Sequence, residues 1–168
     1  MIEPASQTST DRMRLSDILS VDRILVDIDG SVVKSKSDAL RLLAEMLSPA
    51  VHVDRETVEH LLLEREKLQS TGIGDGVAVP HCALDTASNQ ALALILCPRG
   101  IDFEAIDSEP VEIVFGLVGP KRATGEHLRT LARISRLLRD EQTRLRLLAS
   151  SNPAAAFQLV EAHEATAR

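Results

Sequence analysis

Apolar positions along this chain change their period several times, and each change marks an element. Residues 24–28 form a short apolar run that reads as a strand. Beyond it, Leu40, Leu43, Ala44 and Leu47 recur at helical spacing on one face. A second helix is predicted over residues 53–69, with Val58, Leu61, Leu62 and Leu68 on its buried side. Two continuous apolar runs follow, residues 91–97 closed by Pro98-Arg99-Gly100 and residues 111–118 closed by Gly119-Pro120. Neither alternates as a half-exposed strand would, so both predict central strands covered on both faces. The rest is helical over residues 125–138, 141–149 and 153–161, the last with Asn152 as N-cap and Pro153 in the first helical position. A short helix is expected at residues 15–19, and the Ser-, Thr-, Gln- and Pro-containing start predicts a flexible tail over residues 1–13 before a domain over 14–163. Strands alternating with helices predict a layered α/β domain.

Composition narrows the class. A chain of 168 residues, 44% hydrophobic and 26% charged, is long enough to bury a core of its own as a single domain. No apolar run is long enough to cross a bilayer, and the start Met1-Ile2-Glu3-Pro4 is not a basic region followed by an apolar one. A soluble, cytoplasmic protein without membrane insertion is expected. Cys82 and Cys97 are then expected to be reduced. A net charge of −6 and three aromatic residues, all Phe, argue against nucleic-acid binding, which wants phosphate-neutralising charge and stacking surfaces.

The candidate chemistry centres on Ser70-Thr71-Gly72-Ile73-Gly74-Asp75-Gly76-Val77-Ala78-Val79-Pro80-His81, a glycine-rich turn leading to a histidine behind a proline. Glycine permits positive φ and close backbone approach, and Pro80 biases Val79 towards an extended conformation. His81 is thereby carried on a stiff mount. No Lys-Ser or Lys-Thr follows Gly76, so the segment is not a Walker A loop. It also lacks the third glycine and following helix of a dinucleotide fingerprint. Two readings stand: a turn before a strand with His81 a satisfied strand-end residue, or a mount for a functional histidine.

Two further residues interrupt apolar stripes. Arg65 falls on the buried side of the second helix, where its guanidinium either meets an anion or snorkels towards water, Glu64 or Glu66. Thr124 is a plausible N-cap that places His127 in the first turn of its helix, in line with Leu131, Ile134 and Leu138. His127 is then either a hydrogen-bonded boundary residue or a neighbour of a phosphate held at the positive helix end. Together the three suggest transient handling of an anion. Neutral imidazole is a competent nucleophile near pH 7, and phosphoryl transfer needs mainly positioning and positive charge.

The string from Arg65-Glu66-Lys67 through Gly72-Ile73-Gly74-Asp75-Gly76 to Val79-Pro80-His81 resembles the signature of the fructose/mannitol-type enzyme IIA domain of the bacterial phosphoenolpyruvate-dependent phosphotransferase system. The likeness continues through Ser35-Lys36-Ser37, Pro98-Arg99-Gly100-Ile101, Pro110-Val111-Glu112 and Glu126-His127-Leu128, over nearly the whole chain. The free-standing form looks most like the nitrogen-related branch. The resemblance implies a mixed β-sheet flanked by helices on both sides. His81 matches the phosphorylated histidine, His127 its neighbour beside the phosphoryl group, and Arg65 the active-site arginine. It further implies an HPr-type phosphoryl donor and a separate IIB domain or a regulatory target as receiver, with no cofactor and no metal. Cys82-Ala83 stands where Gly, often followed by Lys, is common, and Asp75 replaces a frequent Asn. Both departures bear on partner choice, and Asp75 adds negative charge near an anion site.

Other readings come from other classes. Asp27-Ile28-Asp29-Gly30-Ser31 after an apolar strand resembles the first motif of haloacid-dehalogenase-type phosphatases, with Asp27 as nucleophile and Asp29 as acid/base. The later G-D-x-x-x-D acidic motif is missing, because Val79 stands where Gly74-Asp75 would need its second Asp. The segment is therefore read as a strand and turn. His81 and Cys82 are adjacent and would point to opposite faces, against a Cys-His protease. His81, Cys82, Cys97 and His127 lack zinc-ligand spacing. A binding-class alternative is a switch, in which the phosphorylated and unphosphorylated forms recognise different targets.

Overall fold

The computed structural model describes residues 13–166; the tail predicted over residues 1–13 lies outside them but for Met13. Among these residues six strands form one mixed sheet in the order β1-β5-β6-β3-β2, with β4 also pairing β6. They are β1 (Ile24–Val26), β2 (Gly72–Gly74), β3 (Val77–Ala78), β4 (His81–Leu84), β5 (Ala91–Ile101) and β6 (Val111–Pro120). Strands β5 and β6 pair antiparallel at the centre, while β1 runs parallel to β5, and β3 and β4 run parallel to β6. Among the described residues six α-helices cover the sheet: α1 (Leu15–Ile18), α2 (Lys36–Val51), α3 (Arg55–Leu68), α4 (Thr124–Arg139), α5 (Glu141–Leu148) and α6 (Pro153–Thr166).

The two apolar runs are the central strands, and alternate residues feed two cores. Ala91, Ala93, Ile95 and Cys97 face α2 and α3, packing with Leu40, Leu43, Leu47, Val58 and Leu62. Leu92, Leu94, Leu96, Phe115 and Leu117 face the other way, against Leu15, Ile134, Leu137, Leu147 and Val160. Helices therefore lie on both sides of the mixed sheet. Among the described residues no helix is long and apolar enough to cross a membrane.

Local chemistry sets the boundaries. Asp54 caps α3 by accepting from Thr57 N at 3.0 Å, and Asn152 caps α6 by accepting from Ala155 N at 2.9 Å with Pro153 first in the helix. His52 closes α2 in the left-handed region at φ 58°. Four expectations are corrected. Pro98-Arg99-Gly100 does not end β5; the strand bulges there, with Gly100 at φ 77°, and regains its partner at Ile101↔Val111. Thr124 is not an N-cap: a 3-10 turn at Lys121–Ala123 leads directly into α4, Ala123 holds the cap position, and Thr124 Oγ1 donates to Lys121 O. Leu68 is 84% exposed at the end of α3, and Glu66 is buried in that last turn. Finally, β1 stops at Val26, and Ile28 is exposed.

Candidate functional site

The glycine-rich segment folds as a hairpin, and each glycine has its own reason. Asp75 and Gly76 lie between paired Gly74 and Val77 with φ of 57° and 76°, the positive pair that a type I′ turn requires. Gly72 instead permits close approach: a Cβ there would lie 2.7 Å from Ala105 Cβ and 2.9 Å from Ala105 Cα. The hairpin is tied back by Val79 N donating to Thr71 O at 3.0 Å and by Leu117 N donating to Pro80 O at 3.0 Å. His81 then opens β4 opposite Leu117, while Cys82 turns to the other face and is buried against the α2 and α3 core. The opposite-face reading of this pair holds.

His81 is half-buried, and its Nδ1 lies 2.7 Å from Val79 O. A carbonyl oxygen only accepts, so Nδ1 carries the proton and Nε2 keeps its lone pair. Burial pushes the His81 pKa below its ordinary value; the Val79 hydrogen bond opposes this, the Arg65 charge lowers the pKa further, and the Glu66 charge raises it. Burial thus favours the neutral ring, and Nε2 is the nitrogen outside the Val79 contact.

His127 is buried in the first turn of α4, its ring 5.6 Å from that of His81 and inclined at 55°. Burial first, and then the neighbouring His81, push its pKa down. The Nδ1 edge lies over Gly119, 3.6 Å from where a Cβ would be, and makes no hydrogen bond among the described residues. Arg65 lies at the last turn of α3, bonded through Nη1 to Gln69 O at 2.9 Å, so the guanidinium pairs with neither Glu64 nor Glu66. Arg65 and His81 line one cleft of about 290 Å³ with Gln69, Ser70, Thr71, Ile73, Val79, Ile106, Leu131 and Ser135. A cation and an imidazole thus share a small cleft with a second imidazole beside the first, an arrangement that can accommodate an anion.

Residues that pattern reasoning missed support this arrangement. Glu66 is buried and accepts from Thr71 N at 3.1 Å and Thr71 Oγ1 at 2.6 Å, while Lys36 Nζ lies 2.8 Å from its Oε1. The signal available was a charged residue beside the arginine in a helix ending at a glycine turn. Asp75 does not line the His81 cleft; it lies in an adjoining depression with Ser135 and Arg139.

The remaining candidates have structural partners. Asp27 is buried and its carboxylate accepts from Val32 N and Val33 N, at 3.2 and 2.7 Å for Oδ2, while Asp29 accepts from Ser31 N at 3.1 Å. That loop is a self-bonded turn. Cys82 and Cys97 are free and buried, their thiols pushed up to about 12 by burial. Among the described residues no group of three His, Cys, Asp or Glu side chains could hold a metal ion.

Comparison with known proteins places the chain in one class. The family model for the phosphoenolpyruvate-dependent sugar phosphotransferase system, EIIA 2, matches residues 17–163, and the chain belongs to that family. The chain is 37% identical over 155 residues to a nitrogen regulatory protein of Bradyrhizobium diazoefficiens, covering 92% of this chain and 99% of that protein. The crystal structure of nitrogen regulatory protein IIA-Ntr from Neisseria meningitidis superposes with a TM-score of 0.80 at 29% identity, over 87% of this chain and 98% of that one. The Escherichia coli mannitol IIA, solved in complex with phosphorylated IIB, shares the fold at a TM-score of 0.71 and 23% identity, over 85% and 96% of the two chains.

Proposed function

We propose that this protein is a cytoplasmic histidine phosphocarrier, taking a phosphoryl group from an HPr-type protein onto Nε2 of His81 in a regulatory, nitrogen-related branch of the phosphotransferase system. The observation that carries the reading is the 2.7 Å contact of His81 Nδ1 with Val79 O, which leaves a neutral imidazole with its Nε2 lone pair unused. That lone pair attacks the phosphorus of the donor's phosphohistidine. The donor's N–P bond breaks, its electron pair remains on the donor nitrogen, and the proton stays on His81 Nδ1, donated in a hydrogen bond to Val79 O. Arg65 supplies positive charge to the phosphoryl oxygens across the shared cleft, and the Nε2 edge of His127 offers them a hydrogen bond. Neither residue is the acceptor.

The regulatory reading is supported by the near full-length match to a protein named for nitrogen regulation. Transfer onward to a separate IIB is the second reading, favoured by the mannitol relative solved with phosphorylated IIB. The test is incubation with phosphoenolpyruvate, enzyme I and an HPr-type carrier, followed by intact mass measurement. One acid-labile phosphoryl group is expected on the wild-type chain and none on His81→Ala. A wild-type mass that does not change refutes the reading.

A further inference from the structure

Lys36 is the first residue of α2, where the helix dipole disfavours a cation, so its placement needs another cause. That cause lies on α3. Lys36 Nζ sits 2.8 Å from Glu66 Oε1 and 5.2 Å above the centre of the buried Phe103 ring. Glu66, its side chain only 4% exposed, spends its remaining capacity on Thr71 N and Thr71 Oγ1. Thr71 O in turn accepts from Val79 N, and Val79 O holds His81 Nδ1. A continuous path of short contacts therefore runs from Lys36 to the imidazole. On the same helical turn, Arg65 reaches the cleft from the position next to Glu66.

We infer that Glu66 is a positioning residue for phosphoryl transfer and that Lys36 is its charge compensator: Glu66 locks the end of α3 to the histidine mount, and Lys36 cancels a carboxylate that would otherwise oppose an anion on His81. This rests on the reading of His81 as phosphoryl acceptor. Removing one partner of a buried pair leaves the other charged and uncompensated, whereas replacing both by neutral groups of similar shape does not. The charged and titratable side chains acting on His81 are Arg65 and Glu66 from α3 and His127 from α4. An unmasked Glu66 shifts the balance among them towards protonation of the ring.

Three variants test this: Lys36→Met, Glu66→Gln and the two combined. Two readouts are needed, the rate of phosphorylation by a phosphorylated HPr-type donor and the titration midpoint of His81 from imidazole NMR signals. Lys36→Met should raise the His81 midpoint and slow phosphorylation by about tenfold, the size of one lost charge-assisted hydrogen bond. Glu66→Gln should lower the midpoint, and the double variant should recover most of the rate lost in Lys36→Met. A pair that merely holds the fold would lower thermal stability in all three proteins and leave the His81 midpoint in place, and that result overturns the inference. So does a Lys36→Met protein with the wild-type rate, or a double variant slower than either single one. The titration arm needs no donor, so it reads this inference even if wild-type protein is never labelled, an outcome that would refute the phosphocarrier reading itself.

Discussion

Gly72→Ala adds one methyl group at the tightest backbone approach in the glycine-rich turn. The new Cβ would lie 2.7 Å from Ala105 Cβ and 2.9 Å from Ala105 Cα, whereas carbon atoms prefer about 3.5–4.0 Å. One of the two backbone segments must move by roughly 1 Å, because Ala105 Cα is backbone and Ala105 Cβ is fixed to it. The segments are joined by Ile106 N donating to Gly72 O at 3.2 Å, so the displacement also weakens that bond. Overpacking costs about 1–3 kcal/mol and the hydrogen bond about 1 kcal/mol, giving about 2–4 kcal/mol in total. For a domain of this size that lowers Tm by roughly 5–15 °C. Ile106 also lines the His81 cleft, so phosphorylation measured at a temperature where the variant is fully folded should require more donor for half-maximal rate. Thermal denaturation followed by circular dichroism, with donor-dependence kinetics, makes the check. A Tm within about 1 °C of wild type would refute the close-approach account of this glycine.

Arg65→Ala and His127→Ala should each still accept phosphate on His81, but more slowly by about one to two powers of ten, since each loses one charge-assisted contact; rapid-quench rates equal to wild type in both would remove them from the site. Asp27→Asn should leave phosphotransfer unchanged while costing about 1–2 kcal/mol in denaturant unfolding, because the carboxylate holds two backbone N–H groups; Mg²⁺-dependent phosphatase activity lost in that variant would contradict the turn reading. His81 and His127 both have folded-state pKa values below the ordinary 6.5, so the unfolded chain binds more protons in the window beneath that value. Their contribution to stability is complete above about pH 6.5 and is lost as pH falls through the window, and the His81→Ala, His127→Ala double variant should show a shallower loss of unfolding free energy below that pH.

The central strands were legible because β5 and β6 are buried on both faces, and continuous apolar runs are the direct record of that burial. The helices of α2 and α4 were legible for a related reason, since one-sided packing leaves a helical stripe. Strands of two to four residues such as β2, β3 and β4 are too short to carry a period, and only the turn chemistry of Asp75-Gly76 betrayed them. Leu68 and Glu66 show where periodicity fails. At the last turn of α3 the buried direction is set by the chain folding back through Thr71, so a carboxylate with three donors is enclosed and a leucine is left out. The proximity of His81 and His127 was not readable from spacing either; they lie on β4 and α4, and β6 is what brings these elements together. What the sequence did carry was the residue types of the cleft, because the glycine mount and the stripe interruptions are local.

The most direct test of the central claim is the NMR spectrum of the ¹⁵N-labelled protein after phosphorylation by an HPr-type donor, read for which ring nitrogen bears the phosphorus. The account predicts a single phosphohistidine at His81 with the phosphoryl group on Nε2 and the proton still on Nδ1, held by Val79 O. A phosphoryl group on Nδ1 of His81, or on His127, would contradict it.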